Sequence, residues 1–374
     1  MLSKDELSEI QEEEFSPKEE KLKSKIRRFF SKINAIFKII TAFLAPFFAR
    51  INAIKAFIGK RPWLVLVILF GILVLFIVLF LFVRIGDEPH ELLHRSLTLA
   101  AILLVAICVG YSTVVFQTVT GARILTPAVL GFENIYLFLR TFMLFAFAGS
   151  IAFLETNEGN FVISFVAMVI FSLLIFLPLL TKGSKGVYIL LLVGIILSTL
   201  FASLTSFMQW LIDPERFMTI QADMFASFTQ PDILLMIISG GIAALGIGFA
   251  PSARKLDVIS LGRENAISLG VNHKIAGLRI LITVAALVAV STIVVGTVMF
   301  LGLIAANLAY QFIKSYKHIY TIPAAILVGA IALVVGQFFM REVFTININI
   351  AIIINFFGGI YFIFLLLRSR KKEK

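Results

Sequence analysis

Thirty-three consecutive residues, Leu281 to Ile313, carry no charged side chain. As one helix they would measure roughly 50 Å at about 1.5 Å per residue, too long for a single crossing of a hydrocarbon layer about 30 Å thick. The run must therefore break. Gly296 and Gly302 are its two glycines, and a break near Gly296 leaves spans 281–295 and 298–313. Eight more segments are apolar over about the length a crossing needs: 63–83, 97–117, 128–153, 161–180, 187–208, 233–250, 321–340 and 349–367. With 60% hydrophobic and 15% charged residues, the chain has more apolar surface than a soluble domain of this size could bury. The fold class is all-α, a polytopic membrane protein of about ten transmembrane helices.

Charge sets the orientation. With the N-terminus in the cytoplasm, nineteen Lys and Arg near span ends fall inside, among them Lys60, Arg61, Arg123, Lys182, Lys185, Arg254, Lys255, Arg263, Lys314, Lys317 and the basic tail. Four fall outside: Arg84, Arg95, Arg216 and Arg341. Cytoplasmic loops are the ones that accumulate Lys and Arg. An odd number of spans would put the basic tail outside, so both termini are expected in the cytoplasm. The net charge of +11 then reports orientation and lipid contact rather than nucleic-acid binding. The acidic start lacks a basic region leading into an apolar core, so no cleavable signal peptide is expected.

The chain divides into an N-terminal extension, 1–62, and a ten-helix domain, 63–374. Residues 5–20 hold eight acids, basic residues dominate from Lys21, and 33–59 mix apolar and basic residues. An interfacial amphipathic helix pair on anionic lipid is favoured for that stretch. A disordered tail is the alternative, and Lys38 and Pro46 argue against an extra span.

Several motifs bear on chemistry. His90-Glu91-Leu92-Leu93-His94 matches the zinc-peptidase pattern, two histidines on one helix face with a glutamate between them. A catalytic zinc needs a third protein ligand, and His273 and His318 both fall on the opposite side of the membrane, so coincidence is the favoured explanation. No Walker-type phosphate loop occurs, so ATP hydrolysis of that kind needs a separate subunit. Cys108, the single cysteine, reads as a small core residue. Glu133 and Arg140, seven apart in span three, form a structural pair, lie near the inner face, or meet substrate. Span five carries Ser198, Thr199, Ser203, Thr205 and Ser206; their spacing favours close helix packing, with a wet path as the alternative. Residues 261–271, Leu-Gly-Arg-Glu-Asn-Ala-Ile-Ser-Leu-Gly-Val, form a polar patch between two spans on the cytoplasmic side, suited to contact with a soluble partner.

From about Trp63 to Arg370 the chain resembles the FecCD-type iron-chelate permeases, which share the cobalamin-permease fold. The resemblance is carried, in order, by Gln117-Thr118-Val119-Thr120, Arg123-Ile124-Leu125-Thr126-Pro127, Leu130-Gly131-Phe132, Leu192-Val193-Gly194, Met224-Phe225-Ala226-Ser227-Phe228, residues 261–271, Phe300-Leu301-Gly302 and Gly358-Gly359. The chain departs from the pattern at Ala122-Arg123-Ile124, at Ala306-Asn307, at Thr98 and in lacking a proline between Ile346 and Ala351.

The resemblance implies a permease subunit of an ATP-driven importer for an iron–siderophore complex, without a cofactor of its own. Haem or cobalamin import on the same fold remains an alternative. It implies docking of a cytoplasmic ABC ATPase dimer on Leu261, Gly262, Arg263, Glu264, Asn265, Ala266, Ile267, Ser268, Leu269 and Gly270. It also implies docking of an extracellular solute-binding lipoprotein at Arg95 and Arg341. The path would run along Ser198, Thr199, Ser203, Thr205 and Ser206, with an inner gate around Gly186 and Val187. A second permease chain completes the pore, a heterodimer being favoured over a homodimer. The expected location is the bacterial plasma membrane.

Overall fold

The structure, a computed structural model, describes residues 61–83, 89–146, 156–181, 186–213, 218, 228, 232–344 and 350–370. The expected lipid-bound helices of the N-terminal extension lie outside them. The described residues belong to one compact unit, 61–374.

Each expected span contains a helix among the described residues, though several bounds differ. The helices are α1 (Pro62–Phe82), α2 (Pro89–Thr120), α3 (Phe132–Ala146), α4 (Asn157–Thr181), α5 (Gly186–Leu211) and α6 (Ile233–Phe249). There follow α7 (Ala253–Ile259), α8 (Arg263–Ser268), α9 (His273–Val295), α10 (Leu301–Phe312), α11 (His318–Phe338) with a π-helical turn at Phe339–Phe344, and α12 (Ile350–Arg370). Among the described residues six helices are individually long and apolar enough to cross a membrane, and α6 with α7 makes a seventh if that pair, bent by 58°, counts as one span. The helices α3 and α10 are shorter, and the apolar part of α12 that is described, Ile350–Ile363, is shorter than a crossing.

The long uncharged run breaks at Gly296. Its φ is +98°, a left-handed conformation that β-branched neighbours would resist, and its N–H closes α9 on the Thr292 carbonyl. α9 therefore climbs away from the 261–270 segment and α10 returns toward it.

Helix association in a bilayer gains nothing from excluding water, so the backbones approach through small residues. α2, α9 and α11 do this. Ala101, Ala106, Ala285, Ala289, Ala324, Ala325 and Ala330 are all buried where these helices pack. At Gly110 a Cβ would stand 3.0 Å from the Ile326 backbone, so α2 and α11 touch main chain to main chain. Phe132 stacks on Phe176 at 4.7 Å and joins α3 to α4. Cys108 is fully buried in this core, as its apolar surroundings require.

Candidate functional site

The 261–270 segment holds one short surface helix, α8, which follows the short helix α7 and is bracketed by two glycines. Gly262 (φ +96°) precedes α8 and Gly270 (φ +81°) follows it, and the Val271 and Gly270 N–H groups close the helix on the Ala266 and Ile267 carbonyls. Ala266 is fully buried and pins the helix, while Leu261, Ile267 and Leu269 are more than half exposed. Arg263, Glu264, Asn265 and Ser268 surround them in solvent. Asn265 Nδ2 donates to the Leu261 carbonyl at 2.8 Å and Ser268 Oγ to that of Glu264 at 3.0 Å, so the polar side chains stiffen the turn. Three apolar side chains are thus held out together on a fixed, polar-rimmed support.

On α5 the five hydroxyl residues separate. Ser198 faces α3, where Asn134 Nδ2 donates to its hydroxyl and, at 3.3 Å, to its carbonyl. Thr205 is buried and bonds the Phe201 carbonyl at 2.7 Å. Thr199, Ser203 and Ser206 line the face this chain leaves uncovered. Thr199 and Ser203 donate to the carbonyls of Ile195 (2.9 Å) and Thr199 (2.8 Å), which leaves hydroxyl lone pairs as acceptors toward that open face. Gly186 opens α5, and the side chain of Val187 lies outside the described residues.

At the opposite end of the bundle Arg95 is 1% exposed. Its Nη1 donates to the carbonyls of Phe80 (2.7 Å) and Val83 (2.8 Å), which ties α2 to the end of α1. Its Nη2 reaches Glu91 Oε1 at 2.8 Å and Glu342 Oε1 at 3.2 Å. The expected docking residue Arg95 is thus enclosed by groups of its own chain, unlike Arg341. Arg341 keeps about a third of its side chain exposed while pairing with Glu91 at 2.8 Å.

Glu91, the would-be zinc base, is thus the shared carboxylate of an ion-pair cluster. No group of three His, Cys, Asp or Glu side chains gathers among the described residues. Glu133 is buried and accepts from the Val298 N–H at 3.3 Å, just past the Gly296 break.

The sequence pattern of the FecCD transport family matches residues 92–368, about three quarters of the chain. The chain belongs to the FecCD transport family. Among relatives, the petrobactin import system permease protein YclO of Bacillus subtilis (strain 168) is 41% identical over 83% of this chain and 99% of its own length. The petrobactin permease protein FatC of Bacillus anthracis is 34% identical over 74% of this chain and 78% of its own length. In fold, the chain matches a metal-chelate type ABC transporter described in an inward-facing conformation, with a TM-score of 0.68 at 22% identity, over 82% of this chain and 99% of that one.

The geometry explains the spacing of the FecCD motifs, because they meet one another. A Cβ on Gly131 would stand 2.9 Å from Ser198 Cβ, and one on Gly194 would run into Leu130, so the third and fourth motifs clasp α3 to α5. Gly302 packs on Thr113, and Gly358 on Phe300. Two departures from the pattern are also joined. Gln117 Nε2 (2.6 Å) and Asn307 Nδ2 (3.3 Å) both donate to the Arg123 carbonyl, and the Arg123 guanidinium lies 5.1 Å from the Tyr310 ring centre. Thr98 donates to the Phe228 carbonyl at 3.0 Å, so the loop motif that ends at Phe228 is tied to α2.

One cluster escapes sequence reasoning altogether. Asp257 on α7, His318 at the start of α11 and Thr118 in the last turn of α2 join in a line, with His318 Nδ1 to Asp257 Oδ1 at 2.6 Å and Nε2 to Thr118 Oγ1 at 2.7 Å. They are separated by 61 and 200 residues, and no local pattern links them.

Proposed function

We propose that this chain is the permease subunit of an ATP-driven importer that carries an iron–siderophore complex of the petrobactin kind into the cytoplasm. The observation that carries the reading is the 41% identity to a petrobactin permease over 99% of that protein's length. The chain performs no chemistry. A separate ABC ATPase dimer docks on residues 261–270, where Leu261, Ile267 and Leu269 supply the apolar contact and Arg263 and Glu264 the polar rim.

Both termini lie on that cytoplasmic side, in keeping with the distribution of Lys and Arg. A solute-binding lipoprotein docks at the other end, on Arg341, with Arg95 holding Glu91 in place beneath it. Acidic partner groups there would give register and association rate more than affinity. A second permease chain, different from this one, covers the open face of α5. Thr199, Ser203 and Ser206 then line the path between the two chains, and the start of α5 at Gly186 and Val187 serves as the inner gate. Hydroxyl acceptors facing a shared pore offer a delivered ligand weak contacts, which a path requires.

Uptake in a strain lacking this chain tests the reading. Loss of radiolabelled iron import from ferric petrobactin, restored by the chain and with haem and cobalamin import intact, is the expected result. Loss of haem or cobalamin import with siderophore import unchanged overturns the substrate assignment.

A further inference from the structure

We propose that His318 is a positioning residue for transport: it is the strut through which movement of the 261–270 segment reaches the centre of the bundle. The proposal rests on that segment being the ATPase-docking surface.

The segment's covalent connections are bends. Before it, α6 and α7 meet at 58° across 250–252, with Pro251 in the break. Within and after it come the left-handed glycines Gly262 and Gly270. A push on α8 transmitted along the main chain would be absorbed at these turns. The side-chain line starts on α7, which packs directly against α8, and bypasses the 58° bend and Gly270. Asp257 sits on α7, between the buried anchors Leu256 and Ile259. Its Oδ1 accepts from both the His318 N–H at 2.8 Å and the His318 ring at 2.6 Å.

α11 has no side-chain cap from its own N-cap residue, Lys317. Asp257 therefore caps α11 from another helix and places a negative group where the helix dipole favours one. On the other side of the ring, Nε2 meets Thr118 in the last turn of α2. Thr118 Oγ1 also lies 2.8 Å from the Val114 carbonyl of its own helix, so the ring is held between α7 and the end of α2.

The line has the residue types of a nucleophile–base–carboxylate triad, but not the function. The Val114 carbonyl, 2.8 Å from Thr118 Oγ1, competes with the ring for the hydroxyl hydrogen a nucleophile would have to give to its base. What the line does is join three helix ends in one rigid unit: α7, the start of α11 and the end of α2. α2 and α11 are the pair whose backbones touch at Gly110, so a displacement of α7 moves the packed centre rather than a loop.

The test uses the whole importer, with its ATPase and second permease chain, in lipid nanodiscs. Spin labels replace Leu93 and Trp210, both exposed at the end remote from the segment, and the inter-label distance is measured without nucleotide and after trapping with ATP and vanadate. Wild type is expected to shift. His318→Ala and Thr118→Val are expected to lose more than half of the shift while still trapping nucleotide. Thr118→Ser, which keeps the hydroxyl, retains it.

Thermal melts of each complex separate loss of the strut from loss of the fold. A full shift in both His318→Ala and Thr118→Val overturns the proposal. So does a shift lost only together with the assembled complex, and so does the absence of any shift in wild type. Ile267→Asp tests the underlying docking separately. Retained ATPase in that variant removes the docking reading, and the strut is then still judged by the His318 and Thr118 variants.

Discussion

Glu91 and Arg341, 250 residues apart, meet at 2.8 Å, and the same carboxylate oxygen lies 2.8 Å from the Nη2 of Arg95. One acid therefore holds two arginines of very different standing. Arg95 is enclosed and bonded to main chain; Arg341 is partly open. Removing one member of a buried pair leaves the other charge uncompensated, at a cost of about 3–5 kcal/mol, whereas an exposed pair contributes about 0–1 kcal/mol.

The first prediction follows from that contrast. Arg95→Ala lowers the melting temperature and the amount of protein in the membrane. Arg341→Ala leaves both near wild type but slows association of the binding protein and weakens its salt dependence. Stopped-flow association at two ionic strengths is the measurement. An unchanged rate in Arg341→Ala would remove this end of the bundle as the docking surface.

The second concerns the 261–270 segment. Ile267→Asp places a charge in the exposed apolar group without touching the buried Ala266, so membrane insertion is kept and co-purification of the ATPase falls at least tenfold. Gly262→Val acts by another route. A β-branched residue at φ +96° strains the turn before α8 by about 1–2 kcal/mol, which displaces the helix rather than changing its chemistry. Uptake is lost in both variants. Quantitative pull-down from membranes decides, and normal ATPase recovery with Ile267→Asp contradicts the docking role.

The third prediction distinguishes pore from lipid on α5. Cysteines placed at Thr199, Ser203 and Ser206 react with a membrane-impermeant thiol reagent, and cysteine at the buried Thr205 does not. Native Cys108 is fully buried and gives no background. Three unreactive positions would mean that this face meets lipid.

Much of the bundle was legible because its signals are local. Ten apolar stretches became ten helices, and Gly296 broke the long run because the chain needed a left-handed residue there. Periodicity and charge could not say which arginine was buried. Arg95 and Arg341 look alike in sequence, and only the packing of α1 and the π-helical turn at Phe339–Phe344 encloses one of them. Span five shows the same limit. Its hydroxyls were visible, but Ser198 and Thr205 turn toward the protein while Thr199, Ser203 and Ser206 turn away, a division set by where α3 lies. The Asp257–His318–Thr118 line had no sequence signal at all, since its members share neither a helix nor a spacing.

The last prediction concerns Glu133, read from sequence as a structural partner of Arg140, as a group near the inner face, or as a contact for substrate. In the structure it accepts from the Val298 N–H at 3.3 Å, beside the point where α9 gives way to α10. Its second oxygen meets no donor among the described residues. Glu133→Gln keeps an acceptor for Val298 and replaces a buried carboxylate with an amide whose N–H₂ can donate to the hydroxyls of Ser112 or Ser291, which border the same small cavity. The exchange is therefore expected to leave the melting temperature equal to wild type or above it. Glu133→Leu leaves the Val298 N–H buried without an acceptor, at about 1–3 kcal/mol. It lowers the melting temperature and loosens the α9–α10 break, which hydrogen exchange at residues 296–300 reports. Equal melting and equal exchange in the leucine variant would show that the break is held by packing around Gly302 and not by the carboxylate.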